Sequence, residues 1–168
     1  MIRRLTTSDA EGFRALRLEM LERHPHSFGM SYEDEAGWPL TRFEATITES
    51  AVFGGFVDDL LAGIASLRGY GMRKFAHKGY LWGMYVREAA RGRGLGAALV
   101  EAVLAEARQQ GLEQVLLTVS RGNQTAERLY ARHGFQVFGT EPRALKHQGR
   151  YSDEVQMICY LDGTAERA

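Results

Sequence analysis

The sequence predicts an α+β fold in which about seven strands share one chain with four helices. Three observations carry this expectation. Tyr80–Val86 is aromatic and apolar, as a buried strand should be, and after a glycine-rich turn the apolar positions change period: Leu95, Leu99, Ala102, Val103 and Ala107 fall at helical spacing. Upstream, Ala51–Val57 and Leu61–Arg73 read as two antiparallel strands about an Asp58-Asp59 turn. Downstream, two short apolar runs, Phe135–Gly139 and Val155–Leu161, end the pattern as strands.

Taken in order, Ile2–Leu5 is short and apolar enough for an edge strand. Thr7-Ser8-Asp9-Ala10-Glu11 has the hydroxyl and acidic residues of a helix start. That helix carries Phe13, Leu16, Arg17, Met20 and Leu21 and stops before Pro25. Residues 26–35 read as a loop, and Trp38-Pro39 begins a second helix reaching about Thr48. The strand pair at 51–73 and the strand–turn–helix unit follow, with Gln110-Gly111 closing the third helix. Val115–Val119 is the fifth strand. Asn123 caps a short helix that ends at Gly134, the glycine lying just past the end. A polar, basic loop separates the last two strands.

The 168 residues suit a single domain over 1–168, burying about 70% of the unfolded surface at this size. Lys plus Arg equal Asp plus Glu at 21 each, so no net field draws nucleic acid or an anionic membrane. The basic group Arg68, Arg73, Lys74 and Lys78, with Tyr70, Phe75 and Tyr80 nearby, reads as a solvated hairpin rather than an RNA surface. The amino terminus lacks the apolar run of a signal peptide, and no stretch reaches the roughly twenty apolar residues of a membrane span. The single cysteine, Cys159, lies in an apolar run and reads as a small buried residue. A cytoplasmic protein is expected. His24 and His26 have a proline between them and no clustered co-ligand, so no metal is expected. Oligomeric state is open, a homodimer being the commonest assembly.

The glycine-rich turn carries the functional signal. Gly92, Gly94 and Gly96 leave backbone amides without side-chain cover, and a helix beginning there presents unpaired N–H groups and the positive end of its dipole. That is an anion site, and Arg91 and Arg93 add long-range attraction for a multiply charged ligand such as a phosphate. No Gly-Lys-Ser or Gly-Lys-Thr ending makes it a Walker loop. Gly92-Arg-Gly-Leu-Gly-Ala97 satisfies a loose dinucleotide pattern, but the next strand ends in Ser120-Arg121-Gly122 rather than in an acidic residue for a ribose.

Arg91-Gly92-Arg93-Gly94-Leu95-Gly96, preceded by Val86-Arg-Glu-Ala-Ala-Arg91, resembles the acetyl-CoA loop of the GNAT superfamily of N-acyltransferases, with Glu88 where the family carries proline. A second element, Asn123-Gln-Thr-Ala126-Glu-Arg-Leu129-Tyr130 followed by Gly134-Phe135, resembles the family's Asn-x-x-Ala-x-x-Leu-Tyr motif and stands about thirty residues on. The order of elements is also that of the family's fold. The resemblance implies a three-layer arrangement: a mixed, mostly antiparallel sheet with helices on both faces, splayed between strands four and five. It also implies acetyl-CoA as cosubstrate, held by the backbone of Met84, Tyr85 and Val86, by residues 91–96 and by Asn123, with Tyr130 beside the thioester sulfur. A tyrosine hydroxyl there can protonate the leaving thiolate. Gly83 is expected to help the fourth strand bulge.

The acceptor expected from this resemblance is a primary amine, of a small molecule or a peptide, attacking directly. A lysine-like amine is protonated at neutral pH, and its deprotonation costs about 4.6 kcal/mol. Many relatives place a glutamate on the fourth strand for this; residues 80–86 contain no carboxylate. The expected substitutes are Glu33 and Glu35, then Asp153 and Glu154, all of which also favour a cationic acceptor. Two other readings stay open: a CoA-binding sensor without turnover, and a dinucleotide-dependent enzyme.

Overall fold

Seven strands join into one sheet: β1 (Ile2–Arg4), β2 (Ala51–Val57), β3 (Leu60–Gly69), β4 (Lys78–Val86), β5 (Gln114–Ser120), β6 (Gln136–His147) and β7 (Arg150–Tyr160). The computed structural model describes residues 1–161 and Gly163. The order across the sheet is β1-β2-β3-β4-β5-β7-β6, and every neighbouring pair is antiparallel except β4 with β5. The helices are α1 (Ala10–Arg23), α2 (Tyr32–Glu35), α3 (Leu40–Glu49), α4 (Leu95–Gln109) and α5 (Gln124–Arg132).

The sheet divides the core in two, as the alternation of its strands requires. On one face α4 and α5 bury Leu99, Val100, Val103 and Tyr130 against Leu81, Val115, Leu117 and Met157. On the other, α1 and α3 bury Phe13, Leu16, Met20, Phe43 and Ile47 against Val52 and Ile64. At about 1.5–3 kcal/mol per fully buried large side chain, these two layers hold the helices to the sheet. The mixed, mostly antiparallel sheet with helices on both faces is the architecture that the resemblance implied, and the parallel β4–β5 pair fits the expected splay between those strands. Cys159 is buried, as expected. Among the described residues no helix is long and apolar enough to cross a membrane.

Three stretches differ from the sequence reading. The expected loop at 26–35 contains α2, because Ser31 and Asp34 form a capping box: Asp34 N–H donates to Ser31 Oγ at 3.2 Å, and Ser31 N–H donates to Asp34 Oδ2 at 2.9 Å. The expected polar loop before β7 is ladder instead, running to a two-residue turn at Gln148-Gly149 whose φ angles are 46° and 80°. Both faces of that hairpin are largely exposed, so its sequence shows no apolar alternation to read. The third strand stops at Gly69, and residues 73–75 form a 3-10 turn.

Candidate active site

The two central parallel strands part company soon after they meet. β4 and β5 pair only at Lys78–Tyr80 with Gln114–Leu116; beyond Tyr80 and Leu116 each presents to the other an edge free of ladder bonds. The divergence coincides with a bulge in β4. Trp82 lies opposite Ser66 and Tyr85 opposite Ile64, so three steps along β4 answer two along β3, and Gly83 absorbs the extra residue at φ +63°. The bulge resets the alternation of β4. Tyr85 turns toward α1, buried, with its hydroxyl donating to Glu19 Oε1 at 3.1 Å, and Met84 lies between the strand and α4. Toward β5 the backbone of residues 84–86 is free of ladder bonds.

At the end of β4 the chain enters the glycine loop. Gly92 and Gly94 adopt φ +75° and +77°, a region costly for other residues, and a Cβ on either would meet nothing within 4 Å. Gly94 is the N-cap of α4, so the first amides of a fifteen-residue helix open onto the end of the gap. Gly96 is small for a different reason: a Cβ there would stand 3.4 Å from both Leu129 and Met84, which close over it. Arg91 Nε donates to the Val86 carbonyl at 3.0 Å, folding the loop back on β4, and Arg93 is exposed. This cradle suits a diphosphate: uncovered amides, a helix dipole and two arginines.

Asn123 caps α5, its Oδ1 accepting from Ala126 N–H at 3.2 Å, which leaves its NH2 group to donate outward. Tyr130 stands in the last turn of α5. A Schellman closure follows, Phe135 N–H to Tyr130 C=O at 3.1 Å and Gly134 N–H to Ala131 C=O, with Gly134 at φ +86°. It sets the Phe135 ring edge-on to Tyr130 at 5.7 Å between centroids. Burial, with Tyr80 adding to it, pushes the Tyr130 phenol well above its ordinary value, so it is protonated at neutral pH.

The opposite face of the gap is bounded by α1, α2 and the stretch between them. His26 C=O accepts from Ser120 Oγ at 3.0 Å and its ring meets that of His147 edge-on, so this stretch reaches from α1 to the end of β5 and on to β6. It is anchored from beneath. Arg17 Nε and Nη2 donate to Glu35 Oε2 and Oε1 at 2.9 and 2.6 Å, both side chains are more than nine-tenths buried, and the guanidinium lies 5.4 Å from the Trp82 ring centre. Glu35 is therefore a buried partner of Arg17, not the free loop carboxylate expected from sequence. Asp153 is held too: Oδ1 accepts from Arg143 N–H at 2.9 Å, and Oδ2 lies 3.5 Å from Arg121 Nη1. Glu33 is exposed on α2. Glu154 alone of the four is half-buried without a cation among the described residues; burial raises its carboxyl, the Thr118 hydroxyl lowers it and Glu141 raises it again.

Residues 14–135 match the acetyltransferase (GNAT) family. The chain belongs to this family. Among curated proteins, an L-methionine sulfoximine/L-methionine sulfone acetyltransferase of Pseudomonas aeruginosa is 37% identical over 81 residues; the match covers 48% of this chain and 47% of that protein, about half its length. Among solved structures, a GNAT-family acetyltransferase from Streptococcus pneumoniae superposes with a TM-score of 0.85 at 21% identity, covering 96% of this chain and 98% of that one. A phosphinothricin acetyltransferase from Sinorhizobium meliloti, in complex with acetyl-CoA, gives a TM-score of 0.82 at 19% identity over 99% of this chain and 91% of its own.

In this GNAT chain the sequence motifs and the gap coincide: residues 84–86, the 91–96 loop, Asn123 and Tyr130 come from β4, α4 and α5 around one opening. Sequence reasoning missed two groups. Arg17 looked like a polar residue on a core stripe, and its period with Phe13, Leu16, Met20 and Leu21 was the signal that it points inward. Tyr80 was read with a basic surface patch, yet its hydroxyl lies 2.8 Å from Thr118 Oγ1 on β5. That bond crosses from β4 to β5 just where their ladder ends.

Proposed function

We propose that the protein is an acetyl-CoA-dependent N-acetyltransferase acting on a primary amine of a small molecule by direct transfer. The observation that carries this is the parting of β4 from β5, with the glycine cradle opening at one end of it and the protonated Tyr130 beside it. Bound acetyl-CoA supplies a thioester carbonyl as the electrophile and a thiolate as the leaving group. The backbone of Met84, Tyr85 and Val86 offers N–H and C=O groups to a pantetheine arm, much as a further strand would. Amides at Gly94, Leu95 and Gly96, with Arg91 and Arg93, take the diphosphate, and the Asn123 amide donates to the arm. Tyr130 Oη donates its proton to the departing sulfur. The named activity of the Pseudomonas relative supports a small amine as acceptor.

The acceptor's charge is less constrained than four carboxylates imply, since Glu35 and Asp153 already face arginines. Calorimetric titration with acetyl-CoA, with NADH as control, tests the reading. Acetyl-CoA binding that is lost in the Asn123→Ala, Gly94→Trp double variant, together with thiol release over a panel of amines, is expected. Binding of NADH instead refutes it. Binding of acetyl-CoA with no thiol release on any amine would favour a sensor.

A further inference from the structure

Three strands bring a chain of hydroxyls and one carboxylate to the face of the gap opposite α4. Tyr80 on β4 bonds Thr118 on β5 at 2.8 Å, and the β5–β7 register, Thr118 opposite Gln156 and Ser120 opposite Glu154, makes Thr118 and Glu154 diagonal neighbours on the same face of the sheet. Glu154 lies in register between Ser120 of β5 and Glu141 of β6. The direction of the chain follows from its end. An ionised carboxylate only accepts, so a Thr118 hydroxyl turned to Glu154 donates to it, and the Thr118 oxygen then accepts from Tyr80 Oη–H. Tyr80 stands at the last paired position of β4 with β5, where the gap begins.

Elimination points the same way. Glu35 is closed by Arg17; Glu19 accepts from Tyr85 Oη and from Arg87 Nε at 2.8 Å; Asp153 is held by Arg121 and the Arg143 amide. Glu154 lies opposite Ser120 and the carboxylate of Glu141, with Thr118 its diagonal neighbour, and no arginine, lysine or histidine forms a salt bridge with it among the described residues. Burial first, and then Glu141, raise its carboxyl above the ordinary value, against Thr118.

Building on the acetyltransferase reading, we propose that Tyr80, Thr118 and Glu154 form the relay that deprotonates the amine acceptor, with Glu154 as its terminal base. The acceptor's ammonium gives a proton to Tyr80 Oη, Tyr80 passes its phenolic proton to Thr118, and Thr118 passes its own to Glu154. A neutral amine and a carboxylic acid result. The amine nitrogen then forms the C–N bond as the thioester C–S bond breaks. Tyr130 protonates the sulfur, and the second proton lost from nitrogen restores Tyr130. Glu154 releases its proton to solvent, so ammonium and thioester give amide, thiol and one proton. The relay does for this chain what a carboxylate on β4 does elsewhere, from the far side of the gap.

The test compares Glu154→Gln with the wild-type chain on two amines: L-methionine sulfone, an ammonium at neutral pH, and 2,2,2-trifluoroethylamine, which is largely neutral there. With the sulfone, kcat/KM at pH 7 is expected to fall about 10²-fold and to recover as pH rises and the amine deprotonates itself. Turnover of trifluoroethylamine and the acetyl-CoA Kd are expected to stay near wild type. Thr118→Val, which leaves the carboxylate in place but cuts the chain, is expected to share that amine dependence. Equal losses on both amines, or an acid limb of the pH profile that survives Glu154→Gln, overturn the proposal. A carbon-13 titration of the Glu154 carboxyl gives an activity-free readout, expected above the ordinary carboxylate value and higher still in Thr118→Val. An ordinary value, unmoved by Thr118→Val, also overturns it. Acetyl-CoA binding without turnover of any amine by wild type would count against the acetyltransferase reading instead, leaving the titration to decide whether the relay exists.

Discussion

Glu35→Ala is expected to be the most destabilising single change outside the hydrophobic layers. An exposed Arg–Glu pair contributes about 0–1 kcal/mol, and by that measure the substitution would hardly register. Here the side chains of Arg17 and Glu35 are only 7% and 4% exposed and share two charge-assisted bonds. Removing one partner leaves a guanidinium buried over Trp82 without an anion, which costs about 3–5 kcal/mol. For a chain of this size that corresponds to a Tm about 6–20 °C lower. Urea unfolding followed by tryptophan fluorescence measures it, because Trp82 lies under the guanidinium and Trp38 near the end of α2. The companion is the double variant Arg17→Met, Glu35→Leu. With no charge left to strand, it is expected to recover to about the wild-type level or above it. A loss below about 1 kcal/mol in the single variant, or a double variant as unstable as the single, would refute the buried-charge argument. The acetyl-CoA Kd is expected to be kept in the double variant, since the glycine cradle makes no contact with this pair.

Tyr130→Phe keeps the ring against Phe135 and is expected to lower kcat about 10²-fold with an unchanged acetyl-CoA Kd; unaltered turnover in a thiol-release assay would remove Tyr130 from the chemistry. Gly54→Ala puts a Cβ 2.5 Å from Leu5 Cδ2 and 2.7 Å from Leu61 Cδ1, so urea unfolding is expected to show a loss of about 1–3 kcal/mol from overpacking. Asp9 bonds both Arg3 nitrogens and the Thr6 N–H, and Arg3 foremost holds its carboxyl far below the ordinary value. A depressed carboxylate stabilises the fold above its unfolded value, and that contribution fades as pH falls through the folded one. Asp9→Asn is therefore expected to lose stability at neutral pH and to show a shallower acid decline in pH-dependent melting; an identical decline would count against the Arg3 pair.

How much of this was legible beforehand depends on the range of the cause. The glycine cradle, the cap at Asn123 and the Schellman end at Gly134 are settled within a few residues of chain, and reading them needs only local stereochemistry. The bulge at Gly83 was foreseeable for the same reason. The β6–β7 hairpin was harder, because a ribbon solvated on both faces leaves no period-two pattern. The capping box at Ser31 was present in the sequence but competed with the surrounding His, Pro and Gly residues, which read as loop.

The acceptor carboxylates show where such reading stops. Glu33, Glu35, Asp153 and Glu154 are chemically alike in the sequence, and proximity to a loop gave Glu33 and Glu35 the first rank. Their standing in the fold is decided by partners on other elements: Arg17 eighteen residues before Glu35, Arg121 thirty-two before Asp153. Glu154 faces hydroxyls and a like charge instead, because β7 crosses to pair with β5 and brings it beside Thr118 and, through that, Tyr80, thirty-eight residues away from Thr118. What sets Glu154 apart from the structural ions Glu35 and Asp153 is the absence of a paired cation among the described residues, a property of the sheet order rather than of any segment. A carboxylate can stay basic beside an amine only if the fold withholds the arginine that would otherwise hold its proton affinity down.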